Sequence, residues 1–183
     1  VIYDTHEDLP RQLLSKPYLG NVSKKVLSFL IEKLENFFSS RFSAVVTATP
    51  FIRDRFLKSN THTIDINNFP LLGELFDSSS SVVKKNQVCY IGGITEIRGI
   101  ESLINACEKI NGTLVLAGKF QNKSLEQRMK SLDGWKNVDY RGFINREEAK
   151  VVLSESKAGI VTFFAEPNHI NSQPNKMFEY MSA

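Results

Sequence analysis

Gln87-Val-Cys-Tyr-Ile-Gly-Gly-Ile-Thr-Glu-Ile-Arg-Gly-Ile-Glu-Ser-Leu-Ile-Asn-Ala-Cys107 reads as a strand, a glycine turn and a helix in direct succession. The strand covers 87–91 and ends at Gly92-Gly93. The helix runs over 97–110, where Ile100, Leu103, Ile104, Cys107 and Ile110 recur as one apolar stripe. Downstream the same unit repeats: strand 113–117, helix 123–132, strand 137–140, helix 146–156 opened by the capping pair Asn145 and Glu148, strand 159–164, and a last helix entered at Pro174. Strands and helices alternating through short connections give an α/β fold, a parallel sheet with helices on both faces. Ligands of such sheets sit at the carboxyl ends of the strands.

Upstream, a strand at 1–3 leads through the polar turn Asp4-Thr-His-Glu-Asp8 to Pro10. A helix over 22–42 carries Val26, Phe29, Leu30, Leu34, Phe37 and Phe38 at helical spacing, the pattern of a helix packed on one face. A buried strand over 43–48 follows, then Thr49 as N-cap and Pro50 in the first turn of a helix to about 58, and a strand over 61–66. The stretch 67–86, with Pro70, Gly73 and the run Ser78 to Ser81, reads as a linker holding a short helical piece. The expected division is a first domain over 1–70, a linker over 71–86 and a second domain over 87–183.

The 183 residues suffice for one ordinary domain or two small ones, and 42% hydrophobic content supplies a core. A net charge of +3, with Lys and Arg scattered among acids, disfavours nucleic acid as the main partner. Cys89 and Cys107 fall in apolar settings and read as buried free thiols. Free thiols suit a reducing cytoplasm, with the inner face of the membrane as a second setting. The most apolar helical run, 26–38, is interrupted by Glu32, Lys33 and Glu35, so no segment reads as a membrane span, and no signal peptide is visible. The chain opens at Val1 in a strand-like run and closes at Ala183 inside a helix, which suggests a piece of a larger protein with little or no activity of its own.

The candidate ligand groups cluster at strand ends. Gly92-Gly93 lets a ligand approach the backbone, and Arg98 just beyond can fork two hydrogen bonds to a phosphate. Gly142 permits a close approach, and Phe143 flanks a nucleobase or belongs to the core. Glu166 and His169 contact a sugar hydroxyl or simply line a polar loop. In Asn171-Ser-Gln-Pro-Asn-Lys-Met-Phe-Glu-Tyr-Met-Ser-Ala183, Pro174 suits a first helical turn, the free amides there attract an anion, Lys176 adds a full positive charge, and Glu179 stands where a carboxylate can accept from two ribose hydroxyls. An ordinary amphipathic helix with solvated Lys and Glu would have the same pattern.

The Gly-x-Gly-x-x-Gly dinucleotide fingerprint, the phosphate loop and the nucleophile elbow are all missing, which disfavours nicotinamide, flavin, ATPase and hydrolase readings. His6, His62 and His169 lie in separate elements without zinc-ligand spacing, so no metal is expected.

Taken in order, Tyr90-Ile-Gly-Gly-Ile-Thr-Glu-Ile-Arg-Gly99, Leu114-Val-Leu-Ala-Gly118, Tyr140-Arg-Gly-Phe143 and Pro174-Asn-Lys-Met-Phe-Glu-Tyr-Met-Ser-Ala183 resemble the landmarks of the donor-side domain of retaining glycosyltransferases of family 4. Ile2-Tyr-Asp-Thr-His-Glu-Asp8 and Ala44-Val-Val-Thr-Ala-Thr49 resemble motifs of that family's acceptor-side domain, so the resemblance covers essentially the whole chain. It implies the GT-B fold of two Rossmann-like domains, here both incomplete. It further implies transfer of a sugar from a nucleotide-diphosphate sugar to a sugar or lipid-linked acceptor with retained configuration, in polysaccharide or glycoconjugate synthesis, without cofactor or metal. Peripheral membrane contact is expected through the part preceding Val1. The donor would lie between the domains, with Glu179 on the ribose, Arg98 and Lys176 on the diphosphate, Gly92 and Gly93 crowding the phosphates, and His6 across the cleft, accepting a hydrogen bond or shuttling a proton. The sequence departs from the family pattern twice: Asn171 stands where a Glu often begins Glu-x7-Glu, a role Glu166 could fill, and Gly93 stands where many relatives carry a basic residue. A nucleotide-sugar epimerase of the same fold and a non-catalytic nucleotide-sugar-binding module are the competing readings.

Overall fold

The computed structural model describes residues 1–16, 18–71, 73–76 and 82–183. The chain divides into two compact units, one made of Val1–Asn68 with Ala165–Gln173 and the other of Phe69–Phe164 with Pro174–Ala183.

The first unit holds a three-stranded parallel sheet, β1 (Ile2–Thr5), β2 (Ala44–Thr47) and β3 (Thr63–Asp65), in that order. Between β1 and β2 come α1 (Leu9–Leu14) and the long α2 (Asn21–Ser39), and α3 (Pro50–Phe56) joins β2 to β3. Thr49 caps α3 as its sequence requires, its side chain accepting from the Ile52 amide at 3.3 Å. Val45, Ile52 and Phe56 form a small core against Tyr3. Beside it Arg55 is buried with its guanidinium 2.7 Å from Glu35.

The expected packing of α2 on one apolar face fails within this unit. Phe29 and Phe37 are 59% and 52% exposed, and the residues α2 buries are Ser28 and Ser39. A three-stranded sheet with short helices offers too little surface to cover 19 helical residues. Ser39 is held by polar contacts instead: its hydroxyl lies 2.8 Å from that of Ser59, and its carbonyl accepts from the Asn60 side chain at 2.8 Å.

The second unit is built on β4 (Gln87–Ile91), β5 (Thr113–Ala117), β6 (Val138–Gly142) and the two-residue β7 (Ala158–Gly159), all parallel and ordered β6-β5-β4-β7. The helices are α4 (Ile100–Cys107), α5 (Lys123–Lys130), α6 (Arg146–Glu155) and α7 (Asn175–Ser182). Alternate strand residues face opposite ways. Tyr90, Leu114 and Leu116 join Ile100, Ile104 and Met129 on one face, while Cys89 and Val115 join Leu75 and Leu153 on the other. Both faces are therefore covered, as a parallel sheet requires. The two cysteines are buried and unpaired.

Three element boundaries differ from expectation. The helix expected over 97–110 is broken at Gly99, which sits at φ 67°, so a 3-10 turn over Glu96–Arg98 precedes α4. Thr162 causes the break: its hydroxyl donates to the Arg98 carbonyl at 2.7 Å, and a Cβ on Gly99 would stand 3.3 Å from the Thr162 Cβ. The strand expected over 159–164 shrinks to Ala158–Gly159: the Tyr180 hydroxyl accepts from the Ile91 amide at 2.8 Å and donates to the Ile91 carbonyl at 3.4 Å, groups that a longer β7 would pair with, and its ring packs on Gly159, 2.3 Å from where a Cβ would be. The described residues of the linker 71–86 hold no helix; Leu75 anchors this stretch in the second core, and the run Ser78 to Ser81 lies outside the described residues.

At the carboxyl ends the strands meet backbone to backbone. Gly118, at φ 142°, approaches Gly92 so closely that a Cβ on Gly118 would lie 1.9 Å from the Gly92 carbonyl oxygen. The contact is zipped on both sides, by the Gly92 amide donating to Ala117 O at 2.9 Å and the Gly118 amide donating to Gly142 O at 2.7 Å. Gly118→Ala must therefore separate β4 from β5 while also straining its own backbone. We expect a loss of about 3 kcal/mol or more in unfolding free energy, read as a lower urea midpoint with an unchanged slope.

Candidate functional site

The turn after β4 and the start of α7 form one cluster within the second unit. Gly92 has φ 141°, and a Cβ there would stand 2.8 Å from Lys176 Nζ and 3.7 Å from an Arg98 Nη. The Arg98 guanidinium donates to the Gly93 carbonyl at 3.2 Å, and the Tyr90 hydroxyl donates to the same oxygen at 2.9 Å. Lys176 is buried, its ammonium 3.9 Å from the centre of the Tyr90 ring and 5.8 Å from that of Phe163. Among the described residues it finds no hydrogen-bond partner. A buried ammonium with no acceptor is costly unless an anion completes it.

Burial, reinforced by the neighbouring Arg98 and opposed by Glu179, lowers Lys176 from its ordinary range to about 7. The full positive charge expected of Lys176 is thus only partly present at neutral pH. Pro174 also differs from its expected place. At φ −65° and ψ 122° it is the N-cap rather than the first residue of α7, whose first-turn amides lie just beyond it.

Glu179 lies on the same helix, its Oε1 accepting from an Arg146 Nη at 2.6 Å. Arg146 Nε reaches in the other direction to Glu74 Oε1 at 2.8 Å. These two carboxylates hold the guanidinium firmly in its charged form. Arg146 was no candidate in the sequence. Its one cue is its position, since a cation in the first turn of a helix opposes the macrodipole. Tyr180 also escaped the sequence reading. Its hydroxyl accepts from the Ile91 amide at 2.8 Å and so pins α7 to the end of β4, while burial raises its own pKa.

Of the two readings open for Phe143, the structure excludes the core: the ring is 72% exposed at the end of β6, with Lys119 Nζ 5.2 Å from its centre. Gly92, Gly93, Arg98, Lys176, Glu179 and Phe143 all belong to the second unit.

His6, Glu166, His169 and Asn171 belong to the first unit. The His6 side chain is 64% exposed, its Nε2 3.4 Å from Asp4 Oδ2. The Glu166 carbonyl accepts from the amides of His169 and Ile170 at 2.8 and 3.1 Å, closing a turn that Ser15 secures by donating to Asn168 Oδ1 at 2.7 Å. Asn171 is exposed beyond this turn. Among the described residues no cluster of His, Cys, Asp and Glu is placed to hold a metal ion, and no helix is long and apolar enough to cross a membrane.

No family model and no curated protein matches the sequence. Solved structures do. A mutant of TarM from S. aureus, in complex with fondaparinux, alpha-GlcNAc-glycerol and UDP, superposes with a TM-score of 0.63 at 20% identity, over 90% of this chain and 32% of that one. HepE from Anabaena, in complex with UDP and glucose, gives 0.60 at 16% identity over 88% and 46%. AviGT4, a glycosyltransferase involved in avilamycin A biosynthesis, gives 0.55 at 14% identity over 74% and 41%. The chain thus spans less than half the length of each of these proteins. At such identities the likeness is one of fold. The parallel α/β architecture expected from the strand and helix alternation is that of GT-B glycosyltransferases.

The buried lysine has a consequence for stability. The folded chain releases the Lys176 proton near pH 7, whereas the unfolded chain holds it to about 10.5, so stability rises with pH across that window. Lys176→Met removes the penalty. Its unfolding free energy should exceed that of the wild type by on the order of 4 kcal/mol below pH 7. The gap should shrink toward pH 10.5, as read from urea titrations at a series of pH values.

Proposed function

We propose that this chain carries the donor site of a retaining glycosyltransferase of family 4, with the diphosphate of a nucleotide sugar seated at the carboxyl end of β4. The observation that carries this reading is the Lys176 ammonium, buried beside Gly92 and next to Arg98 without an acceptor of its own. Two cations, one of them desolvated, and the amides opening α7 suit a ligand with at least two negative charges. Bound there, a diphosphate draws the proton back onto Lys176 and becomes a better leaving group. The charge that develops as the glycosidic bond breaks falls on oxygens facing fixed cations, which is electrostatic stabilisation without a metal.

Glu179 accepts from the ribose, and Phe143, exposed at the end of β6, two strands from β4, offers a ring to the base. The family resemblance assigns proton handling to His6 and leaves Glu166 to fill the sugar-contacting role of the acid that Asn171 replaces, while His169 in the same polar loop can contact a sugar hydroxyl; these roles are read in transfer rate rather than nucleotide affinity. Because TarM and HepE were both solved with UDP, uridine donors are the first to test. The acceptor hydroxyl belongs to a growing polysaccharide or glycoconjugate, sugar or lipid-linked, handled in the cytoplasm or at the inner face of the membrane.

The non-catalytic alternative rests on Asn171 and Gly93 as departures from the family pattern, and packing offers a second reason for the glycine at position 93. A Cβ at Gly93 would lie 3.1 Å from an Arg98 Nη, a contact tight enough that glycine eases the inward fold of the arginine. Calorimetric titration with UDP, GDP and their sugars tests the site. Arg98→Ala and Lys176→Met should each weaken UDP about tenfold or more, and EDTA should change nothing. Full affinity in both variants would remove the diphosphate site from this position.

A further inference from the structure

Arg146 is the first residue of α6, a place where the helix dipole disfavours a cation. The position is nevertheless fixed. The Asn145 side chain accepts from the Glu148 amide at 2.9 Å while the Glu148 carboxylate accepts from the Asn145 amide at 2.7 Å, a reciprocal cap that locks the helix start. From there the planar guanidinium spans two acids, Nε to Glu74 at 2.8 Å and an Nη to Glu179 at 2.6 Å. Glu74 comes from the loop before β4 and Glu179 from α7, so the arginine ties together three segments far apart in sequence. On Glu179 only Oε1 is engaged; Oε2 has no hydrogen-bond partner among the described residues.

We propose that Arg146 is the positioning residue of the ribose site: braced by Glu74, it takes one oxygen of Glu179 and presents the other, in a fixed orientation, to the ribose hydroxyls. The inference rests on the donor-site reading above and adds to it the device that preorganises the acid. An unbraced Glu side chain loses rotamer freedom when it binds, and a guanidinium fork removes that cost before the ligand arrives.

The test compares UDP with 2′,3′-dideoxy-UDP and inorganic pyrophosphate, titrated into wild type, Glu179→Gln, Arg146→Gln, Arg146→Lys and Glu74→Gln. Wild type should prefer UDP to the dideoxy nucleotide by about tenfold. Arg146→Gln should erase most of that preference while leaving pyrophosphate affinity within about twofold. The Arg146→Gln, Glu179→Gln double variant should bind UDP no worse than Glu179→Gln alone, since the arginine acts through the acid. Arg146→Lys, which can hold only one carboxylate well, should restore part of the preference. Should Arg146→Gln fail to fold, Glu74→Gln removes the far brace and should lower the preference in the same direction.

The outcomes separate the two ideas. Should Glu179→Gln keep the wild-type preference, the ribose assignment falls and the inference with it. Should Glu179→Gln lose the preference while Arg146→Gln and Glu74→Gln keep it, or should the double variant prove additive, the inference alone is overturned.

Discussion

The contact of Gly118 with the Gly92 carbonyl is the constraint on which the rest of the second unit depends. Two parallel strands normally end apart, each followed by a turn with side chains of its own. Here β4 and β5 end with their backbones touching, and the Gly118 amide extends the zip to Gly142 at the end of β6. A rim without Cβ atoms between its strands is a surface on which main-chain groups face a ligand directly. The same closeness turns the chain after β4 sharply enough for Arg98 to reach back to the Gly93 carbonyl, and it leaves over Gly92 the space that the Lys176 ammonium occupies.

Charge then explains why this rim is incomplete by itself. Arg98 and Lys176 share a small volume, and the guanidinium disfavours charge on the lysine. The acid on the same helix, Glu179, favours the charge on Lys176, but its hydrogen bond goes to Arg146. The Tyr90 ring below the ammonium supplies an attractive face without an acceptor. The cluster therefore holds more positive charge than its own acids neutralise, in a place where water has been largely removed. Such a cluster is stabilised by whatever anion binds it, and the stabilisation is greatest for one that spans both cations.

Much of this order is local and so can be read from sequence. The strand and helix alternation of the second unit, the Thr49 cap of α3 and the Asn145 and Glu148 capping box depend on residues a few positions apart. What escaped reading depends on residues distant in the chain. Gly99 breaks its helix because of Thr162, β7 is cut short by Tyr180, and Glu179 finds Arg146 33 positions earlier. The helical period of α2 identified its apolar stripe but could not say what covers it, and within its own unit that stripe stays half exposed. Periodicity reports a face; burial is decided by the partners of that face.

Gly93 shows how a departure from a pattern that the sequence otherwise resembles can have a packing reason. The resembled family often carries a basic side chain at this point of the glycine turn, where this chain has glycine. Yet the volume where its Cβ would begin lies 3.1 Å from the Arg98 guanidinium, which has folded in to bond the Gly93 carbonyl. A side chain there would crowd the inward Arg98 guanidinium. Glycine at this point thus eases the inward fold of Arg98, which, unlike a flexible lysine, carries a planar fork able to grip two oxygens at once. Positive charge at the end of β4 is held by Arg98 in a directional form.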